Sequence, residues 1–399
     1  MVIKIIYEVR ISYNKYMKIL ITGAHFTAAV AVIEELQKTP NTEIVYVGRK
    51  STREGDRSLS PESQIIPEMG IKFIPITTGR LQRALTIYTL LSLLKIPIGF
   101  IQSLWILFTQ KPDRVLSFGG YVAVPVVITG WLMSIPVIIH EQTLVTGLAN
   151  KICSWFSDKI LVSFDTKNDF PPEKVILTGN PLRKEILEAG EIRGIGEIKQ
   201  SLRSDDLREI FFTARKEKKP VIFVTGGNQG SHVINLAVEN CLDKLTKLAY
   251  IIHQTGNSKF KDFERLEKKL SSHYFVSLFF YQEMPYLLKH SDLVISRAGI
   301  NTLMELAYFG TPALVIPVPY LYKGEQNQNA KYFESSGLVK ILPQSKLSGD
   351  SLLREIKGMG EIKQSLRSDD LRERKDKAKK AKSVVIPEAG KIIALETLI

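Results

Sequence analysis

The sequence predicts an α/β protein with two doubly wound, Rossmann-like domains that face each other across a cleft. Its 399 residues are too many for one compact core. Short apolar runs alternate with helical segments along most of the chain, which is typical of parallel sheets covered by helices on both faces. Two of these runs end in turns of small residues, TGAHF (22–26) and TGGNQGS (225–231), at positions where such sheets bind ligands.

The first domain begins at Met17, which opens an apolar strand, a turn and a helix with apolar Val30, Ile33 and Leu36. Further strands are predicted at TEIVYVGR, IKFIPI, DRVLSFGG, PVIIHEQ, KILVSF and KVILTGNP. The second domain repeats the series at KPVIFVTGGNQG, LAYIIHQTG, YFVSLFF, SDLVISRAG and TPALVIPVP. We therefore predict domains over 17–182 and 183–383. A helix is predicted over 384–399, and one possible position for it is against the first domain. Residues 1–16 are interpreted as an extension, a mis-assigned start or an edge strand.

Charge and cysteine content narrow the function classes. The chain carries 54 Lys and Arg against 41 Asp and Glu, a net charge of +13, which predicts an anionic partner. Nucleic acid is not the expected partner, because neither an aromatic stacking surface nor a basic recognition helix is evident. The 2 cysteines lack metal-ligand spacing and fit a reducing compartment.

One 14-residue segment, GEIKQSLRSDDLRE, occurs at 196–209 and again at 360–373. The copies lie too far apart to be stacked repeats of a solenoid. We interpret both as short helical inserts in surface connections that carry no chemistry.

Polar side chains follow the strands of the first domain. Main-chain N–H groups around Thr22 and Gly23 are suited to a phosphate, and His25 is either a local cap or a general base. Glu141 comes after a later strand and is either a helix N-terminal acid or a group that points into the cleft. Tyr121 and Gln142 belong to the same edge.

The second domain has its own polar turns. Its glycine turn at 226–230 allows close approach to a diphosphate, but it is not G-x-G-x-x-G and no ribose-binding acid follows, which excludes an NAD dehydrogenase. Glu305 fits either a capping box that starts at Thr302 or a carboxylate that binds ribose. Gln326 and Asn329 are either sugar-binding amides or a polar helix start.

Seven motifs together resemble a known family. In chain order they are GGYVAVP, HEQTLVTGLANK, TGNPLR, TGGNQGS, HQTG, SRAGINTLMEL and EQNQNA, and the resemblance spans about Met17 to Leu342. The set resembles glycosyltransferase family 28, the bacterial N-acetylglucosaminyltransferases that convert lipid I to lipid II. The resemblance implies the GT-B architecture and an inverting transferase at the cytoplasmic face of the inner membrane. Its substrates would be UDP-GlcNAc and undecaprenyl-diphospho-muramoyl-pentapeptide, and it would need no cofactor.

The same resemblance assigns roles to residues of this sequence. Arg183 and Asn228 would contact the donor diphosphate, the main chain at Tyr281 would read uracil, and Glu305 would hold the ribose. The turn formed by Asn301, Thr302, Leu303 and Met304 would lie on the phosphates, and Gln326 and Asn329 would face the GlcNAc hydroxyls. His25 is the first choice of catalytic base and Glu141 the second. The acceptor would be bound by Thr22, Gly23, Tyr121, Gln142 and Thr143.

Two departures from the family pattern concern the acceptor. The family's first loop resembles G-G-x-G-G-H-x-x-P, whereas TGAHFTAA is two residues shorter and has Ala28 in place of proline. Thr143 replaces the asparagine of H-E-Q-N. A transferase for another lipid acceptor and an inactive relative therefore stay as alternatives. No D-x-D pair occurs, so we expect no obligate metal.

The longest apolar stretch, Ala84–Phe108, suggests a membrane contact. Lys95 and Pro97 lie within it and disfavour a transmembrane helix. Phe100, Trp105 and Phe108 add more apolar surface than one helix face buries, and basic residues surround the stretch. We expect peripheral binding to an anionic membrane through the first domain, with core packing as the alternative.

Overall fold

The computed structural model describes residues 16–51, 60–79, 87–165, 169–191, 205–227, 229–257, 259–368 and 382–399. The chain divides into two compact units. One is Met1–Arg183 with Ile386–Ile399, and the other is Lys184–Val385.

The described residues form strands and helices that alternate along the chain. The strands are β1 (Met17–Thr22), β2 (Thr42–Gly48), β3 (Lys72–Pro75), β4 (Arg114–Ser117), β5 (Val137–Glu141), β6 (Lys159–Val162), β7 (Val175–Leu177), β8 (Val221–Thr225), β9 (Tyr250–Gln254), β10 (Tyr274–Ser277), β11 (Leu293–Ser296), β12 (Ala313–Val315) and β13 (Val339–Ile341). The helices are α1 (Phe26–Leu36), α2 (Pro61–Glu68), α3 (Ile87–Gln110), α4 (Ala123–Leu132), α5 (Leu148–Cys153), α6 (Lys184–Glu191), α7 (Asp205–Lys216), α8 (His232–Leu248), α9 (Asp262–Leu266), α10 (Met284–His290), α11 (Ile300–Phe309), α12 (Glu325–Glu334), α13 (Gly349–Ser368) and α14 (Ala389–Leu398).

The first unit contains a seven-stranded sheet in the order β3-β2-β1-β4-β5-β6-β7, with parallel pairing throughout. Successive residues of β1 enter different cores, since Ile19 and Ile21 pack in one cluster and Leu20 packs in the other. This follows from the two-residue period of a strand that is buried on both faces. Helix α14 closes one face, where Ile393 and Leu398 pack beside residues of α1.

The second unit contains a six-stranded parallel sheet in the order β10-β9-β8-β11-β12-β13. Ile222 and Val224 of β8 pack with residues of α8 and α13 in one core. The prediction of two Rossmann-like domains is therefore confirmed. In each sheet the strand order reverses beside the first strand, at β1/β4 and at β8/β11, and ligands bind at such points in doubly wound folds.

The repeated segment is described only in part. Residues 196–204 and 369–373 lie outside the described residues. The last five residues of the first copy begin helix α7, where Leu207 is fully buried. Leu207 therefore belongs to a packed helix, and the interpretation of the whole copy as an exposed insert is wrong for this residue. Residues 360–368 of the second copy continue α13.

Among the described residues, none of the helices has the length and apolarity needed to cross a membrane.

Candidate functional site

The predicted phosphate loop of the first unit lies at the β1/β4 reversal. Phe118 N–H donates to the Thr22 carbonyl at 2.7 Å, and Ala24 N–H donates to the Gly119 carbonyl at 2.9 Å. Gly23 has φ +137°, and a Cβ there would lie 2.7 Å from the Phe118 carbonyl carbon. The loop therefore needs glycine at this position. The Thr22 hydroxyl is buried and lacks a hydrogen-bond partner among the described residues.

His25 precedes helix α1 and is paired with Gln142. The Gln142 amide lies 2.9 Å from His25 Nδ1. With the amide nitrogen toward Nδ1, neutral His25 carries its proton on Nε2, and Gln142 Oε1 has no partner in the described part of the chain. With the amide turned over, Oε1 accepts Nδ1–H and Nε2 can take a proton. The second arrangement gives Oε1 a partner and leaves Nε2 unprotonated, which is the form of the ring that could accept a proton.

The electrostatic surroundings keep His25 neutral. Burial lowers the pKa of His25, Glu141 opposes this shift, and Arg49 lowers the pKa further. A histidine with a lowered pKa is unprotonated at neutral pH, which is the state that a general base requires.

Glu141 organises the loop that follows β5. Its Oε1 accepts from Thr143 N–H at 3.0 Å and from the Thr143 hydroxyl at 2.9 Å. Its Oε2 accepts from Gly147 N–H at 3.1 Å and from Asn150 Nδ2 at 3.0 Å. Four hydrogen bonds leave this buried carboxylate little capacity for a substrate proton, so the geometry favours His25 over Glu141 as the base.

Arg49 is a site residue that the sequence interpretation missed. It follows β2, the neighbour of β1, and its Nε donates to Glu62 Oε1 at 2.9 Å. It also interacts electrostatically with Tyr121 and with His25. The predicted strand TEIVYVGR ends at Arg49, so its place at the carboxyl edge of the sheet was an available signal.

The glycine loop of the second unit lies at the β8/β11 reversal and leads into helix α8. A Cβ on Gly230, which has φ +69°, would lie 1.9 Å from the Thr255 carbonyl oxygen. The hydroxyl of Ser231, directly before α8, is buried without a partner in the described residues. A 17-residue helix N-terminus beside this hydroxyl is suited to a phosphate. Asn228 lies outside the described residues.

A buried polar network lies beside this loop. Asn235 Nδ2 donates to the Thr255 carbonyl at 3.1 Å and to Asp262 Oδ2 at 3.0 Å. His253 Nε2 lies 3.0 Å from Asn235 Oδ1, and its Nδ1 lies 3.0 Å from the Tyr274 hydroxyl. Burial lowers the pKa of His253 to about 3, with Asp262 opposing the shift. His253 is therefore neutral and structural at physiological pH.

The start of helix α11 corrects one of the two interpretations of Glu305. The helix begins at Ile300 with Gly299 as its N-cap, and no side chain caps it. Thr302 lies inside the helix, so the capping box is wrong. Glu305 is buried, at 6% exposure. Leu303 N–H donates to the Gly299 carbonyl at 3.0 Å, the first hydrogen bond of the helix. The N–H groups before Leu303, including those of Asn301 and Thr302, belong to the first turn of the helix and are suited to an anion. Leu303 and Met304 are themselves buried.

The other residues predicted to bind the UDP-GlcNAc donor differ in their contacts and in their exposure. Gln326 Oε1 accepts from Val318 N–H at 3.0 Å. Asn329 is buried and its Nδ2 donates to the Ala298 carbonyl at 3.4 Å. Tyr281 has a side chain that is 74% exposed, and Arg183 is half-buried directly before α6. Among the described residues, no group of three or more His, Cys, Asp or Glu side chains could hold a metal ion.

Two family models match the chain. The glycosyltransferase family 28 N-terminal domain matches residues 22–162, and the family 28 C-terminal domain matches residues 221–385. The two matches cover more than half of the chain and contain both glycine-rich turns.

Curated relatives match over most of their own length. The UDP-N-acetylglucosamine–N-acetylmuramyl-(pentapeptide) pyrophosphoryl-undecaprenol N-acetylglucosamine transferase of Clostridium botulinum (strain Langeland) is 34% identical over 345 residues, 85% of this chain and 90% of the relative. A Bacillus cereus protein of the same name, numbered 2, is 32% identical over 350 residues, 86% of this chain and 92% of the relative.

Solved structures share the fold. The crystal structure of Acinetobacter baumannii MurG superposes with a TM-score of 0.66 at 23% identity and covers 96% of this chain and 99% of that one. UDP-GlcNAc 2-epimerase from Neisseria meningitidis superposes with a TM-score of 0.61 at 19% identity and covers the same fractions.

Proposed function

The chain belongs to glycosyltransferase family 28, and on that premise we propose that it transfers N-acetylglucosamine from UDP-GlcNAc to lipid I, which forms lipid II for peptidoglycan synthesis. The observation that carries the proposal is the match to relatives named for this reaction over 85% of the chain. The loops at both strand-order reversals are formed by residues of the matched regions.

The acceptor hydroxyl attacks the anomeric carbon of GlcNAc, and the configuration at that carbon inverts. A carbon–oxygen bond forms to the acceptor, the bond to the UDP oxygen breaks, and the hydroxyl proton passes to His25 Nε2. Gln142, 2.9 Å from Nδ1, holds the ring in the required tautomer when its amide is turned so that Oε1 accepts from Nδ1–H. Thr22, Gly23, Tyr121 and Thr143 complete the proposed acceptor site.

The departing UDP leaves with negative charge on its diphosphate. The N-termini of α8 and α11, the hydroxyl of Ser231 and the guanidinium of Arg183 are the groups that we assign to this charge. Fixed donors of this kind stabilise developing charge without reorganising during the reaction. UDP-GlcNAc is a substrate, and we assign no cofactor or metal to the reaction.

Lipid I is anchored in a membrane, and the first unit has an apolar surface suited to that location. Helix α3 buries Ile106 and Leu107 and exposes its opposite face. The exposed large side chains there are Ile98, Ile101, Leu104, Trp105 and Phe108, at 46% to 68% exposure. Trp131 and Leu132 at the end of α4, which packs on α3, and Trp155 beyond α5 are also exposed. We propose that this apolar surface rests on the anionic cytoplasmic face of the inner membrane.

Turnover of labelled UDP-GlcNAc with a lipid I analogue tests donor, acceptor and activity together. Formation of the lipid II analogue with release of UDP is the expected result. The shortened first loop favours one second candidate, a transferase that acts on another lipid. Diacylglycerol is therefore tested as an acceptor beside the lipid I analogue. Turnover with diacylglycerol alone would establish that second candidate, and UDP binding without any turnover would indicate an inactive relative.

A further inference from the structure

Gln254 lies between the two parts of the donor domain that are proposed to hold UDP. It is the last residue of β9, and the parallel register places it beside Thr225 of β8 and Ser277 of β10. Its side chain is 1% exposed. A buried amide at a ligand-binding sheet edge must have its polar atoms satisfied by the protein.

The Gln254 amide makes three hydrogen bonds. Its Nε2 donates to Thr225 Oγ1 at 3.1 Å and to the Gly227 carbonyl at 3.4 Å. Its Oε1 accepts from Phe280 N–H at 2.8 Å. Because a main-chain N–H can only donate, the contact with Phe280 fixes the orientation of the amide. Gly227 N–H donates to the same Thr225 hydroxyl at 3.1 Å, so both main-chain polar groups of Gly227 are held.

These bonds join two segments with different proposed ligands. Gly227 belongs to the loop that precedes α8, where the diphosphate is proposed to bind. Phe280 directly precedes Tyr281, whose main chain is proposed to read uracil. The Phe280 ring is 7% exposed and packs edge-on against Phe223, with 6.0 Å between the ring centroids. The ring anchors this segment in the core, and Gln254 links its main chain to the glycine loop.

We propose that Gln254 is a positioning residue that sets the distance between the diphosphate loop and the uracil-reading segment. The inference rests on the proposed function, because only a ligand that spans both segments benefits from a fixed distance between them. UDP spans both, whereas uridine uses only one. Loss of Gln254 should therefore weaken UDP binding more than uridine binding.

The test compares dissociation constants of UDP and uridine for the full-length wild type and for Gln254→Met, which has a side chain of similar length without hydrogen-bonding groups. We expect UDP to bind roughly tenfold or more weakly to the variant and uridine less than about threefold more weakly. The KM for UDP-GlcNAc should rise in parallel, and the KM for the lipid acceptor should not change. Gln37→Met is the matched control, since Gln37 donates one exposed hydrogen bond to the Met69 carbonyl at 3.1 Å in the other unit.

Thr225→Val is the second variant and serves if Gln254→Met does not fold. It keeps the bond between Gln254 and Phe280 and removes only the hydroxyl that both Gly227 and Gln254 use. The same preferential loss of UDP binding is expected. Equal weakening of UDP and uridine, or UDP affinity within about twofold of the wild type, would overturn the inference. A wild type that does not bind UDP would overturn the proposed function and this inference with it.

Discussion

Substitution of His25 by alanine tests the proposed base most directly. General base catalysis contributes on the order of a hundredfold or more to a rate, so we expect His25→Ala to lower kcat by at least that factor, about 2.7 kcal/mol of transition-state stabilisation. The proposed donor residues lie at Arg183 and in the other unit, so UDP affinity should stay within about twofold of the wild type. The substitution also removes the partner of Gln142, so the melting temperature must be measured beside the rate.

The assay is transfer of labelled GlcNAc to a lipid I analogue, with UDP affinity from calorimetry. His273→Ala is the matched control, because His273 interacts with Glu217 and Lys219 at the opposite edge of the second sheet. A kcat for His25→Ala within about threefold of the wild type would refute the assignment of the base. Loss of UDP binding in the same variant would refute the assignment of UDP binding to Arg183 and the second unit.

The pH profile gives a second measure of the same residue. Because burial lowers the pKa of His25, kcat/KM should fall only below pH 6.5, where the imidazole becomes protonated. Arg49 lowers that pKa further, so Arg49→Gln removes a positive charge and should move the acid limb to higher pH. An acid limb that stays in place, or moves down, would contradict the proposed proximity of Arg49 and His25.

Three further predictions concern the donor loop, acid stability and the membrane. Gly230→Ala should weaken UDP binding about tenfold or more, since its Cβ would lie 1.9 Å from a carbonyl oxygen. A Cβ at Gly227 would meet open space, so Gly227→Ala should cost only about 1 kcal/mol of stability because of the positive φ at that residue. Equal effects of the two substitutions on UDP affinity would contradict this prediction. His253 has a pKa of about 3 in the fold, so the unfolded chain binds more protons as pH falls from about 6.5 toward 3, and stability should fall by up to about 1.4 kcal/mol per pH unit. Urea unfolding at pH 7.5 and pH 5 should show a smaller loss for His253→Gln than for the wild type. Trp105→Glu should reduce co-sedimentation with anionic vesicles. Phe212→Glu is the control, because Phe212 is 73% exposed in the other unit, and this substitution should not reduce co-sedimentation. Equal retention of both variants would argue against membrane binding through the apolar surface of α3.

The fold was predictable because both sheets are buried on both faces. A strand such as β8, with five consecutive buried residues, begins with four apolar side chains and has a polar one only at its carboxyl end, Thr225. Each such strand is followed by a turn and a helix, and this alternation has few topological solutions. The burial of Leu207 was harder to predict, because the helical pattern of the repeated segment does not show which of its residues pack against the rest of the unit.

Candidate site residues could be predicted from the sequence where a chemical step requires a particular type of side chain. They were harder to predict where the contacts of a residue in the fold decide what it can do. His25 and Glu141 both lie at the carboxyl ends of strands of the first sheet, yet we propose different roles for them because four donors surround Glu141 and one amide faces His25. The Thr302 to Glu305 spacing matched a capping box, but Gly299 begins the helix earlier. Arg49 was missed because its relation to His25 depends on β2 lying beside β1, and strand order is not written in local sequence.

The two units recognise their proposed ligands in different ways. We assign the donor phosphates mainly to main-chain N–H groups at the starts of α8 and α11, so a change such as Gly230→Ala would act through the position of the backbone. The proposed acceptor site of the first unit combines main-chain groups at Thr22 and Gly23 with side chains such as His25 and Gln142, which lie just beyond the ends of β1 and β5. A short first loop and Thr143 can therefore alter the acceptor while donor binding is retained. It follows that UDP affinity and acceptor choice should respond to separate sets of substitutions, and a single variant of the first loop that abolished both would show that they are coupled.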